Sequence, residues 1–171
     1  MTDRIRLKGK RQVIDSDGYR ANVGIILSND EGAVLWARRM VQDAWQFPQG
    51  GINPGEDAEQ AMYRELWEEV GLEAGDVRVL AATDSWLRYK LPRRMVRHHS
   101  QPVCIGQKQK WFALRFDGAD DEIDISGIGH AAEFDLWRWE KLERLPELVI
   151  PFKRKVYEQV AEAFRDLARP A

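Results

Sequence analysis

Apolar residues in this chain come in short runs separated by turn chemistry. ANVGIIL (21–27) is followed by SNDEG (28–32) and then AVLWARR (33–39), a pattern that predicts a β-hairpin. VRVLAAT (77–83), SWLRYKL (85–91), KQKWFALRF (108–116) and EFDLWRW (133–139) predict further strands. WQFPQGG (45–51) mixes aromatics with proline and glycine and predicts a structured loop. PRRMVRHHSQPVCIGQ (92–107) predicts a long basic one. Helical spacing occurs twice. From Pro151 onward, Phe152, Val156, Val160 and Phe164 recur every four residues, an amphipathic stripe. Earlier, Asp57 opens a helix with Gln60 as its capping-box partner, and Gly71 suits the left-handed residue beyond its end. Strands outnumber helices, so the fold class is α+β, with a sheet layered between helices.

Length and composition narrow this picture. The 171 residues suffice for one domain with a substantial core. The chain divides into a polar, loosely held N-terminal arm (1–17) and a single domain (18–168). A 44% hydrophobic, 32% charged balance is that of a soluble globular protein, and no apolar run is long enough to predict a membrane partner. The N-terminus, MTDRIRLKGKRQ, has basic residues but no apolar core, so it does not read as a secretory signal. The single cysteine, Cys104, has no disulfide partner within the chain, and the cytoplasm is the expected location.

The net charge of −2 conceals an asymmetry. Ser85 to Phe116 contains no Asp or Glu and carries +8, leaving −10 for the remainder. A segregated basic field points to an anionic partner, phosphates or nucleic acid. A solvated basic loop without a partner has the same composition.

The predicted helix from Asp57 to Val70 holds an anomaly. At about 100° per residue, Glu65, Glu68 and Glu69 share one sector with Ala58, Ala61 and Met62, which should face the core. Like charges at i, i+3 and i+4 repel, and burying an unpaired carboxylate is costly. Arg64, four residues before Glu68, can neutralise one charge but not three. A hard divalent cation such as Mg²⁺ can, with a backbone carbonyl from the flexible Gly50–Gly55 loop completing the donor set. The bland alternative is a solvated acidic face.

Gly50, Glu56 and Arg64-Glu65-Leu66-Trp67-Glu68-Glu69-Val70-Gly71-Leu72 match the pattern G-x5-E-x7-R-E-U-x-E-E-x-G-U at every fixed position. The chain therefore resembles the Nudix hydrolases. The resemblance implies an α/β/α sandwich around a mixed β-sheet and hydrolysis of phosphoanhydride bonds. It also implies Mg²⁺ (or Mn²⁺) held by Gly50, Glu65, Glu68 and Glu69, with Glu68 as ligand or base and with Glu56 and Arg64 orienting the ligands. DGYRANVGIIL, WQFPQGGINPGE, WLRYKLP, PVCIGQKQKWF, EFDLWRW and PFKRKVY extend the likeness from about Gly18 to Phe164. Over that span the chain is similar to the bacterial RNA pyrophosphohydrolases, which include or border dinucleoside polyphosphate hydrolases.

That likeness implies removal of pyrophosphate from 5′-triphosphorylated RNA to leave a 5′-monophosphate, exposing mRNA to decay. Dinucleoside polyphosphates are the alternative substrate, and a non-catalytic Nudix-like binding module is a third reading against which the intact motif argues. It also implies a distal glutamate, matched by Glu133 before FDLWRW, that reaches the metals or the water. A triphosphate substrate needs cations and a flat surface, for which Arg20, Arg39, Lys108, Lys110, Lys153, Tyr89 and Phe152 are the candidates. Each has a plainer reading: a solvated charge for the Arg and Lys residues, a merely half-buried ring for Tyr89 in place of a rim aromatic, and the helix core for Phe152. His98 and His99 lack metal-ligand spacing and are assigned no chemistry. Two departures stand out: the arm before Asp17 is extra, and Ala44 replaces a serine common before WQFPQGG.

Overall fold

The computed structural model describes residues 13–40, 43–129 and 131–170. Most of the N-terminal arm (1–12), and His130 within the SGIGHAA stretch before Glu133, lie outside them. In chain order the strands are β1 (Tyr19–Ser28), β2 (Val34–Arg39), β3 (Trp45–Gln46), β4 (Gln49–Gly51), β5 (Val77–Ala82), β6 (Leu87–Lys90), β7 (Gly106–Phe116) and β8 (Phe134–Glu140). Helix α1 (Ala58–Val70) falls between β4 and β5, and α2 (Leu145–Leu148) and α3 (Arg154–Phe164) follow β8.

The eight strands form one sheet, ordered β3-β2-β1-β7-β5, with β4 added on β1, β6 on β7 and β8 on β2. It is mixed because β1 and β7 run parallel from Tyr19↔Gly106 to Ser28↔Arg115, while the other pairs are antiparallel. One face carries a core of Val23, Ile25, Leu27, Phe112 and Leu114 against Met62, Leu66 and Val70 of α1. The other carries Ile26, Trp36, Phe47 and Trp111 against Val156, Tyr157, Val160 and Phe164 of α3. Each large apolar side chain moved out of water contributes roughly 1.5–3 kcal/mol, so these two layers hold the sandwich.

The expected hairpin is reduced to its base. β1 and β2 pair only at Ser28↔Val34, and β2 instead pairs with β8 along its length. The cause is the segment expected to be a loop, 45–51, which contributes two short strands. β4 takes the edge of β1 at Asn22–Gly24, and the Pro48 carbonyl accepts the Ile25 N–H at 2.9 Å. β1 therefore has no free edge left for β2.

Residues 13–17 are fastened to the domain. Ala21 N–H donates to the Val13 carbonyl (2.9 Å), Ile14 bridges Arg20, and the Asp15 carboxylate accepts the Tyr19 N–H and pairs with Lys108 at 3.0 Å. At the other end, buried Arg115 donates to the carbonyls of Leu167 and Arg169, both at 3.0 Å, and to that of Asn29. This clamps the chain beyond α3 to the β1–β2 turn.

Candidate active site

Helix α1 begins and ends as its sequence dictates. Asp57 Oδ1 accepts the Gln60 N–H at 2.7 Å, Gln60 returns the bond to Asp57 N–H at 3.0 Å, and Gly71 closes the helix at φ 74°. The capped frame fixes the rotation of the helix and buries Glu65 and Glu69 to 5% exposure each, with Glu68 half-buried and Trp67 outward. β4 runs past this face. Gly50 is required there because a Cβ would overlap the Glu65 carboxylate.

Arg64 organises the acids. Its guanidinium grips Glu56 with two bonds of 2.8 Å, reaches Glu65 at 2.6 Å and Glu68 at 3.3 Å, and donates to the Gly51 carbonyl at 2.7 Å. Glu56 in turn accepts the Asn53 N–H at 3.1 Å. Spacing alone pairs Arg64 with Glu68; its principal partner is Glu56, which holds its charge firmly on by hydrogen bonding. The arginine thus ties the glycine-rich loop to the helix.

Glu69 points to the other side of the acidic cluster. Burial pushes its carboxyl well above the usual carboxylate range, and the charges of Glu65, Glu133 and Glu68 push it further; the Gln49 N–H, 3.1 Å from Oε2, partly offsets them. Among the described residues no three metal-ligating side chains are already gathered on one point. A buried carboxylate crowded by three others is nonetheless a donor set that a hard, oxygen-seeking divalent cation fits.

Glu69 opens into a cleft of about 210 Å³. Its walls include Arg20, Arg39, Tyr89, Glu133, Phe152 and Lys153, six of the residues named from sequence, together with Asn22, Gln46, Gln49 and Gln107. Glu133 is placed by its own carbonyl, which accepts the Met40 N–H at 3.0 Å, next to a bulge between Arg38 and Arg39 in the β2–β8 pairing. Lys153 is buried, donates to Gln46 Oε1 at 3.1 Å and lies 5.7 Å from the Tyr89 ring centre. Burial, and then the Arg39 charge, push its ammonium down to about 8. Phe152 is half-buried, 5.8 Å from Tyr89, packed against the second core and also facing the cleft. It therefore belongs partly to both of its alternatives.

Lys108 and Lys110 do not reach this cleft. Side chains alternate along β7: Gln107 lines the cleft and Gln109 reaches cleft-lining Gln49, whereas the two lysines point to the α1 face. There they sit over the Trp86 ring at 4.8 and 5.3 Å, and Lys108 also pairs with Asp15. Arg115 is the C-terminal clamp. The basic window thus supplies none of the cleft's cations, which are Arg20, Arg39 and Lys153. The amides are the residues that sequence reasoning missed. Gln109, wholly buried, donates to Asn22 Oδ1 at 2.8 Å and Gln49 Oε1 at 3.4 Å, joining β7, β1 and β4 beneath the cleft. The alternation in Gln107-Lys108-Gln109-Lys110 was the available signal, since it puts the amides and the lysines on opposite faces.

An α/β/α sandwich with a glutamate-bearing helix packed on a glycine loop, beside a cationic cleft, defines a class of phosphate-handling enzymes. Residues 18–160 match the model of the NUDIX domain, and the chain belongs to the Nudix family. An RNA pyrophosphohydrolase from Ectopseudomonas mendocina (strain ymp) is 60% identical over 156 residues, covering 91% of this chain and 96% of that protein. One from Salmonella arizonae is 59% identical over 152 residues, covering 89% and 86%. Among solved structures, the E. coli dihydroneopterin triphosphate pyrophosphohydrolase aligns with a TM-score of 0.64 at 22% identity over 81% of this chain and 92% of its own. A C. elegans Ap4A hydrolase aligns at 0.58 and 17% identity over 85% and 98%. These two establish the shared fold. Among the described residues no helix is long and apolar enough to cross a membrane.

Proposed function

We propose that this protein is a divalent-cation-dependent RNA pyrophosphohydrolase, which removes pyrophosphate from a 5′-triphosphate end and leaves a 5′-monophosphate that commits the transcript to decay. The observation that carries the reading is the meeting of buried Glu69 with Arg20, Arg39, Lys153 and Phe152 in one cleft, in a chain about 60% identical to proteins of that name.

Glu65, Glu69 and the Gly50 carbonyl would hold the cation, Mg²⁺ or Mn²⁺, with Glu68 and Glu133 as further ligands or as the base. A bound cation screens the phosphates, polarises a P–O bond and lowers the pKa of a bound water. Arg64 keeps Glu56 and Glu65 in place and carries the position of the loop to the helix. Arg20, Arg39 and Lys153 neutralise phosphate oxygens, and such charge-assisted bonds are strongest where water is excluded. Phe152 offers a ring face to a base, with Arg39 as an opposing cationic plane, while Tyr89, only 6% exposed, backs the Phe152 ring. Lys153, lowered to about 8 by burial, is held more firmly in its charged form beside a phosphate.

The test is turnover of a 5′-triphosphate RNA with Mg²⁺, following pyrophosphate and 5′-monophosphate RNA together. Stoichiometric release of both supports the reading. Release of orthophosphate alone, or no turnover, rejects it, and the latter outcome returns the chain to the binding-module alternative.

A further inference from the structure

The basic window that stays out of the cleft gathers on the opposite side of the sheet. β6 and β7 pair antiparallel, and Arg88 stands directly across from Lys108. Alternation turns Arg88, Lys90, Lys108 and Lys110 to the α1 side, while Tyr89 and Gln107 turn to the cleft. Helix α1 packs over β1 and β4, so Arg88 and Lys90 stay exposed and Lys110 is half-buried. Two rings lie among the cations. Lys108 and Lys110 sit over Trp86, and the Arg88 guanidinium lies 5.7 Å from the Tyr19 ring centre. Gly106 makes room for the Tyr19 ring, which a Cβ there would meet at 2.9 Å.

Like charges directly opposite on a sheet are destabilising, so this arrangement calls for an anion. Asp15 pairs with Lys108 at 3.0 Å and offsets one charge, and no acid within Ser85–Phe116 offsets the others. The patch also runs on to the cleft. After Lys90 come exposed Arg93 and Arg94 in the turn 93–95, and Met95 of that turn lines the cleft. A polyanion leaving the cleft over the β6 margin therefore meets Arg93, Arg94, Lys90 and Arg88 in succession. An open path of cations set beside rings fits the phosphate backbone of a single strand. An anionic bilayer presents a flat plane, whereas this path turns around the edge of a sheet.

We propose that this face is a second RNA-binding site, which holds the backbone downstream of the 5′ end without reading its sequence. Arg88, Lys90 and Lys110 take phosphate oxygens. Trp86 keeps the Lys108 and Lys110 ammonium groups side by side, and Tyr19 backs Arg88. The proposal rests on the proposed function for the identity of the strand. The site adds no chemistry of its own. It raises the effective concentration of the triphosphate end beside Glu69, so it acts on KM and leaves kcat alone.

The test uses the full chain and two double variants, Arg88→Gln with Lys110→Gln and Arg88→Glu with Lys90→Glu, with melting temperatures alongside. kcat and KM are measured on a 5′-triphosphate trinucleotide and on an unstructured 5′-triphosphate RNA of about 20 nucleotides, longer than the roughly 4–16 that one single-strand site covers. Binding of a 5′-hydroxyl RNA of the longer length, followed by anisotropy over a salt series, gives a readout without turnover. The full chain should show a KM about tenfold lower for the long RNA than for the trinucleotide at equal kcat. Both variants should lose that gain while keeping trinucleotide kcat/KM within about twofold. In the glutamine variant, the slope of log K against log salt should shrink by about 1.4, about 0.7 for each single-strand phosphate contact removed. Absence of a length gain in the full chain, or variants that keep it, overturns the proposal. An equal loss on both RNAs also overturns it, because the cations would then serve the cleft itself. So does tighter binding to vesicles of anionic lipid than to 5′-hydroxyl RNA at the same salt, which would assign the face to a membrane. No turnover of either RNA, with 5′-hydroxyl binding that both variants abolish, supports the site and rejects the proposed function instead.

Discussion

The Glu65 carboxylate lies where a Cβ on Gly50 would have to be. Gly50 sits in β4 at the register position opposite Val23, so it cannot retreat without breaking that pairing. Gly50→Ala should therefore displace Glu65 and lower kcat by about 10–100-fold, the usual effect of disturbing a ligand's setting. Steady-state kinetics with saturating Mg²⁺ check this; near-normal kcat would mean that Glu65 has no fixed role.

Glu69→Gln should abolish most hydrolysis and raise the melting temperature of the metal-free protein. The sign follows from its raised carboxyl. The stability linked to this group is full below the ordinary carboxylate value and is lost as pH rises through the folded-state value. In chelator, the parent's melting temperature should fall over that range more than the variant's, and added Mg²⁺ should narrow the gap. Identical pH profiles in chelator would contradict the burial argument.

Lys153 carries the opposite sign. Its value is pushed down to about 8 from an ordinary 10.5, so its stability contribution is present above the ordinary value and lost as pH falls through about 8. Lys153→Met should consequently raise the melting temperature near neutrality, and the gain should shrink between about pH 8 and 10. KM for triphosphate RNA should rise at the same time. A melting gain that does not depend on pH would reject the buried-cation account.

Phe152→Ala tests a ring with two neighbours. The stability cost should stay below the roughly 3–5 kcal/mol of a fully buried phenylalanine, because the ring is half-buried. Loss of stacking should lower kcat/KM for RNA by about 10–100-fold and affect a free nucleoside triphosphate less. Equal losses on both substrates with a large melting drop would leave the ring to the core alone.

Arg115→Ala removes the clamp on Leu167, Arg169 and Asn29. Three part-buried carbonyls lose a charged donor, so the melting temperature should drop by a few degrees, with a cost of about 1.5–3 kcal/mol. At low temperature kcat/KM should be unchanged, because Arg115 does not line the cleft. A kinetic defect in the folded variant would connect Arg115 to the substrate after all.

What the sequence determined by itself was local. The caps at Asp57 and Gly71, and the shared face of Glu65, Glu68 and Glu69 with Ala61 and Met62, follow from helical period and end chemistry, and the structure keeps them. The longer strands were legible for the same reason, since alternation and turn residues act within a few positions, whereas the short β3 and β4 read as a loop. What only the tertiary structure decided was which faces meet. Alternation separates Gln107 and Gln109 from Lys108 and Lys110, yet only the pairing of β7 with β1 and β6, and the placement of α1 and α3 on opposite sides, determines which pair faces the cleft. Arg64 chose Glu56, eight residues away, over its helical neighbour Glu68, because the loop folds back onto the helix. β1 took β7 and β4 rather than the adjacent β2, because the 45–51 segment competed for its edge. Local periodicity sets which side chains share a face. The partner of that face is chosen by contacts between residues far apart in the chain, which no local pattern encodes.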